Sequence, residues 1–153
     1  MNPGLVLLLA AVVVAVGFGL YRRRTDGTFA TPAVEEAAQR PSRDPEPTAW
    51  SAVAASVPAA ELGERATLLQ FSSAFCAPCR TTRVVLSDVA GKLDGVAHVE
   101  IDAEEHLDLV RALDVRRTPT TLVLDRFGHE ITRAAGAPRR EQVLAALPTL
   151  QGA

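Results

Sequence analysis

Cysteine is scarce in this chain of 153 residues: Cys76 and Cys79 are the only two, which leaves no second pair for a structural disulfide framework. Lysine is scarcer still. Lys92 stands alone beside abundant arginine and alanine, a bias we attribute to codon usage rather than to a binding surface. The folded part lacks a basic cluster and the formal net charge is −2, so nothing in the composition calls for a nucleic-acid partner. The single tryptophan, Trp50, lies far ahead of the cysteines and is not their immediate neighbour. Large apolar residues are almost missing between Thr25 and Thr48, and charge is missing altogether between Gly4 and Tyr21.

These last two absences divide the chain. The stretch 4–21 is rich in Leu, Val and Ala, and as a helix it would extend about 27 Å, close to the hydrocarbon thickness of a bilayer. A cleaved secretory signal is the competing reading. It would need a positive leader, where Met1-Asn2-Pro3 stands, and a small-residue cleavage site, where Gly19-Leu20-Tyr21 runs into Arg22-Arg23-Arg24. The flanks favour an uncleaved single-span anchor. Arginines are retained on the cytoplasmic side, and all three follow the span, so the remainder of the chain is expected in the cytoplasm with Tyr21 at the interface. Residues 22–48 carry Pro32, Pro41, Pro45 and Pro47 among mixed charges and read as a flexible linker. A domain of ordinary size follows, over 49–150.

Within it, Ala49–Ala60 is Ala- and Val-rich and ambiguous. Ala66–Ser72 is a continuous apolar run, as in a strand buried on both faces. Pro78–Leu93 has helical spacing through Val84, Val85, Leu86 and Val89, with a stop at Gly91. Val96–Asp102 is a second strand, and Glu104–Leu113 repeats helical spacing, its acids Glu104 and Glu105 together with Asp102 marking a helix N-terminus. Thr120–Asp125 and Glu130–Ala135 are strands joined by the Arg126-Phe127-Gly128-His129 turn. Arg139–Leu147 closes as a helix. The order β-α-β-α-β-β-α describes an α/β domain with a mixed sheet and flanking helices.

Cys76-Ala77-Pro78-Cys79 falls where the first strand turns into a helix, the place for a redox pair. Two other readings of the pair remain: half a zinc site, for which only His98, His106 and His129 offer further ligands, and a structural disulfide closing a very short loop. The element order, the Cys-x-x-Cys with its internal proline, the Val115-Arg116-Arg117-Thr118-Pro119-Thr120 segment and Gly136 after the last strand together resemble the thioredoxin fold, over residues 62–148. Thr118-Pro119-Thr120-Thr121 and Asp125-Arg126-Phe127-Gly128 are more similar to the membrane-linked TlpA-type reductases than to soluble thioredoxins.

The resemblance implies a thiol-disulfide oxidoreductase. A thiolate is the attacking species, and a free cysteine with a pKa of about 8.5 is mostly protonated at neutral pH. Cys76 at the helix start would have its thiolate favoured by unpaired N–H groups, and would attack; Cys79, a turn further in, would resolve the mixed disulfide. Pro78 stiffens the first turn without losing a hydrogen bond. Arg80 and Arg83 would bring positive charge near the thiols. The resemblance further implies a cis Thr118–Pro119 bond that offers main chain to an extended substrate, with Phe75 as an apolar contact at the rim. The sequence departs from the family where a buried acid and a partner lysine are usual: Gln70 and His98 occupy those positions. Phe75 and Ala77 replace the usual Trp and Gly.

The expected partners are disulfide-containing proteins and an upstream electron donor, such as a thioredoxin reductase or a membrane thiol relay. Neither metal nor cofactor is expected. A reductase on the outer face of the membrane serving cytochrome maturation, and a thioredoxin-fold binding module without turnover, are the alternatives.

Overall fold

The computed structural model describes residues 3–25, 27–29 and 48–148. The first helix, α1 (Pro3–Thr25), contains the uncharged stretch Gly4–Tyr21, which is long and apolar enough to cross a membrane, is not buried by the rest of the chain, and runs four residues beyond Tyr21. Two residues later the chain meets the domain. The Gly27 N–H donates to Ala135 O at 3.1 Å, and Phe29 forms an antiparallel bridge with Ala134. The expected linker thus begins inside α1 and then touches the domain at 27–29; residues 30–47 lie outside the described residues.

The ambiguous Ala-rich segment is a helix, α2 (Ala49–Ser56), started by the Thr48 hydroxyl, which accepts from the Ser51 N–H at 3.0 Å. Its Val53 is fully buried. Next come β1 (Ala66–Ser72), α3 (Ala77–Ala90), β2 (Val96–Asp102), α4 (Leu107–Ala112), β3 (Thr120–Asp125), β4 (Glu130–Ala135) and α5 (Arg140–Ala146). The strands form one sheet in the order β2-β1-β3-β4, with β1 parallel to β2 and antiparallel to β3, and β3 antiparallel to β4. Strand β1 is buried at all seven positions because it lies inside the sheet with helices on both faces.

Leu68, Val96 and Val123 pack on one face beneath Leu86 and Val89 of α3 and Val143 of α5. Leu69, Phe71, Ile101, Leu122 and Leu124 pack on the other with Val53 of α2 and Leu109 of α4. The acids after β2 do not start α4. The Asp102 carboxylate captures the Glu104 N–H at 2.8 Å, a local turn that delays the helix to Leu107 and leaves Asp108 as the acid of its first turn. At the β3–β4 turn, Gly128 has φ +85°, and a Cβ there would lie 2.3 Å from the Cβ of Trp50, so glycine is what lets α2 dock against the hairpin.

Candidate active site

The strands β1 and β4 run in the same direction, since each is antiparallel to β3. Their C-terminal ends, together with the start of β3, form one mouth of the sheet. Cys76 sits there as N-cap of α3 in extended conformation, and its sulfur accepts from the Cys79 N–H at 3.1 Å. The two cysteines are bonded to each other, with Cα atoms 5.2 Å apart, so the site is in its oxidised form. Cys76 is half-buried while Cys79 is 2% exposed, and Pro78 is within the first turn of the helix. Cys76 is thus the more exposed residue of the pair.

The loop from β1 carries Phe75, 98% exposed beside Cys76. Across from it the Thr118–Pro119 bond is cis, and Pro119 is buried. The Ser73 and Thr118 hydroxyls lie 3.1 Å apart, joining the two loops. The Gly136 N–H donates to Pro119 O at 2.8 Å and fixes the same loop from β4. Cys76, Phe75, Thr118 and Pro119 are therefore brought together at one mouth. Arg80 is exposed on α3. Arg83 turns away from the thiols and pairs with Glu100 of β2, with Nη2 to Oε1 at 2.7 Å, because a helix residue one turn beyond Cys79 overhangs the edge strand rather than the helix start.

Beneath α3 the sheet surface changes from apolar (Ala66, Leu68) to polar (Gln70, Ser72) towards the mouth. Gln70 is fully buried. Its Nε2 donates to Cys79 O at 3.0 Å, which leaves Oε1 to accept from His98 Nε2 at 3.2 Å. His98 Nε2 is then the protonated ring nitrogen, and in the neutral ring Nδ1 accepts from the Ser87 hydroxyl at 2.9 Å. Burial pushes His98 below the usual histidine pKa, against the pull of Glu100 and with a smaller push from Arg83. Burial by itself would raise Glu100, but hydrogen bonds from Arg83 and Ser72 and the charge of Arg83 hold it below the ordinary carboxylate value.

Thr82 and Thr121 are also buried on this face, and their hydroxyls have no hydrogen-bond partner among the described residues. Among the described residues no three His, Cys, Asp or Glu side chains gather as metal ligands would. Sequence reasoning named Gln70 and His98 as substitutions but missed what joins them. Ser87 lies eleven residues before His98, and what brings them to Gln70 is the register of two parallel strands, Leu68 opposite His98 and Gln70 opposite Glu100, which no residue pattern displayed.

The thioredoxin family model matches residues 55–149 of the chain. The chain belongs to the thioredoxin family. It is similar to Thioredoxin H2-1 of Oryza sativa subsp. japonica, 34% identical over 74 residues, which cover 48% of this chain and 53% of that protein. Thioredoxin H2 of Arabidopsis thaliana is 32% identical over 74 residues, covering 48% and 55%. The chain thus spans about half the length of these curated relatives. A mutant thioredoxin from Halobacterium salinarum NRC-1 superposes with a TM-score of 0.53 at 21% identity, over 59% of this chain and 78% of that one, which shows the shared fold. In this thioredoxin-family domain the amide–imidazole chain behind Cys79 supplies hydrogen bonds without a buried carboxylate.

Proposed function

We propose that this protein is a membrane-tethered thiol-disulfide oxidoreductase that reduces or exchanges disulfides in proteins. The observation that carries the reading is the disulfide between an accessible helix-capping Cys76 and a buried Cys79, beside a cis-proline loop in a thioredoxin-family domain. In the reduced form, the Cys76 thiolate attacks one sulfur of a substrate disulfide. The Cys76–substrate bond forms, the substrate S–S bond breaks, and the second substrate sulfur leaves as thiolate. Cys79 then loses its proton and attacks Cys76, which releases the first substrate sulfur. The pair ends as the Cys76–Cys79 disulfide, and two electrons have passed to the substrate. Gln70 has no basic atom to take the Cys79 proton, and the departing substrate thiolate is the base at hand. A dithiol donor, such as a thioredoxin reductase system or a membrane thiol relay, must return the electrons. The main chain at Thr118 and the ring of Phe75 are the surfaces offered to an extended substrate.

The tether in this reading is Gly4–Tyr21 crossing the membrane once, with the domain on the cytoplasmic side by the arginine rule, as in a TlpA-like architecture turned inward. Replacing Cys79 with Ser should accumulate mixed disulfides through Cys76 in cells. A C79S protein that traps no partner, and a wild-type protein that reduces no model protein disulfide, would leave a binding module. Labelling of the reduced Cys76 in intact cells by a membrane-impermeant thiol reagent would reverse the sidedness and favour a reductase of the outer face.

A further inference from the structure

The point at which the chain leaves α1 and joins the domain is fixed by a short built contact. Gly27 is buried, has φ +75°, and a Cβ on it would lie 2.2 Å from Ala137 O, so only glycine fits. Its N–H and the Arg117 guanidinium both donate to Ala135 O, at 3.1 and 2.5 Å. Arg117 precedes Thr118–Pro119, so the strap and the substrate-facing loop share one acceptor. Phe29 follows, paired with Ala134 and packed against the core beneath α3 and α5.

The direction of the strap decides which end of the domain faces α1. It runs antiparallel to β4, so Gly27 lies at the Ala135–Gly136 end and Phe29 further down. That end is the mouth, where Gly136 holds Pro119 and where β1 leads to Cys76. Thr25, the last residue of α1, is two peptide steps from Gly27, at most about 7 Å. From the strap across β4 and β3 to β1 is three strand spacings, roughly 14 Å. A chain free over the whole of 22–48 would instead allow a contour of roughly 90 Å.

We propose that the Gly27–Phe29 strap holds the mouth, with Cys76 and Phe75, against the membrane surface, and that the preferred substrates are disulfides of membrane-bound proteins lying close to the headgroups. This rests on the single-span reading given above. The exposed Phe75 and Arg80 then lie at the end nearest the interfacial layer, where an aromatic ring and a cation are both tolerated, while Arg116 stays paired with Asp114 and Arg117 with Ala135 O. A soluble protein disulfide would have to enter between the mouth and the bilayer.

The test uses the full chain in phosphatidylcholine vesicles containing phosphatidylglycerol, reduced and freed of reductant. Flotation with the vesicles is measured first, since a chain that stays behind removes both the span and this proposal. Reduction is then followed on one disulfide peptide in three forms: free, coupled to a lipid headgroup directly, and coupled through a long polyethylene glycol spacer. Wild type should reduce the short-spaced peptide at least about fivefold faster than the long-spaced one, as an effective-concentration effect of fixed geometry. Gly27→Val should lose that dependence and keep its rate on the free peptide. Insertion of roughly ten Gly and Ser residues after Thr25, which leaves the strap docked, should move the optimum to the longer spacer. A floating wild type with rates independent of spacer, or an insertion variant that keeps the short-spacer preference, overturns the strap proposal and leaves the span intact.

Discussion

The side-chain amide of Gln70 donates to the backbone carbonyl of Cys79 at 3.0 Å while its oxygen accepts from His98. One buried amide therefore holds the start of the redox helix to the sheet and fixes the tautomer of a histidine on the neighbouring strand. A carboxylate here would titrate with the thiols; the amide keeps its hydrogen bonds at every pH.

Replacing Gln70 with Leu keeps the volume and removes both bonds. The Cys79 carbonyl loses a buried donor, and the half-buried His98 Nε2–H loses its acceptor. Stability should fall by about 1–3 kcal/mol, measured as a lower urea midpoint with unchanged slope. An unchanged midpoint would mean that the amide is not a structural tie.

The pH dependence of stability should carry a histidine component. His98 is held below its usual value of 6.5 mainly by burial, so as pH falls past that value the unfolded chain takes up a proton that the folded chain resists. Stability is then level above that pH and declines below it, until the folded-state pKa is passed. Glu100, also lowered, adds a further loss only once pH falls through the carboxylate range. His98→Gln should flatten the first decline and leave the second, in a series of denaturant titrations at stepped pH. A decline of the same size in the variant would assign it to another group.

Two substitutions should stabilise. Thr82 and Thr121 bury hydroxyls that no described group satisfies. Thr82→Val and Thr121→Val preserve shape and remove the desolvated oxygen, so each should raise stability by about 0.5–2 kcal/mol. A lower melting temperature in both would show that these hydroxyls are bonded in solution.

Gly128→Ala should cost about 1–3 kcal/mol, because alanine resists a φ of +85° and its Cβ would collide with Trp50. Trp50 is the single tryptophan, so its emission reports the displacement directly. An unshifted spectrum with unaltered stability would contradict the packing of α2 on the hairpin.

Phe75→Ala separates binding from folding. The ring is almost fully exposed, so stability should stay within about 0.5 kcal/mol of wild type. The KM for a protein disulfide should rise several-fold with kcat little changed, as for loss of uniform binding. A fall in kcat alone would place the ring nearer the reacting sulfurs than its exposure indicates.

The legible parts of the fold were those written in periodicity. The apolar run Ala66–Ser72 and the turn residues around Gly128 gave strands within a residue of their observed ends. The segment 49–56 was not legible, since Ala and Val satisfy either period, and it took the Thr48 cap and the contact of Trp50 with Gly128 to make it helical. The strap was not legible either. It pairs through one glycine and one phenylalanine, too few residues to show a pattern, and Phe29 was its only apolar sign. At the site, the cysteines and the proline loop announced themselves by residue type. Gln70 and His98 read only as departures, because a hydrogen-bond chain between strands depends on register, which one strand by itself does not encode.

The sulfur cap on α3 ties two quantities that are usually measured apart. Oxidised and reduced chains, folded and unfolded, form a closed thermodynamic square. Whatever folding energy the chain gains or loses when Cys76 is reduced must therefore reappear as a displacement of the pair's reduction potential from that of the same cysteines in the unfolded chain, about 30 mV for every 1.4 kcal/mol. In the oxidised form the Cys79 N–H is met by a neutral disulfide sulfur; after reduction the same N–H and the helix end face a sulfur able to carry full negative charge. A substitution in the first turn of α3 that stabilises one form more than the other is thus also an electrochemical substitution, and denaturation curves of the two forms, recorded side by side, would read that displacement without an electrode.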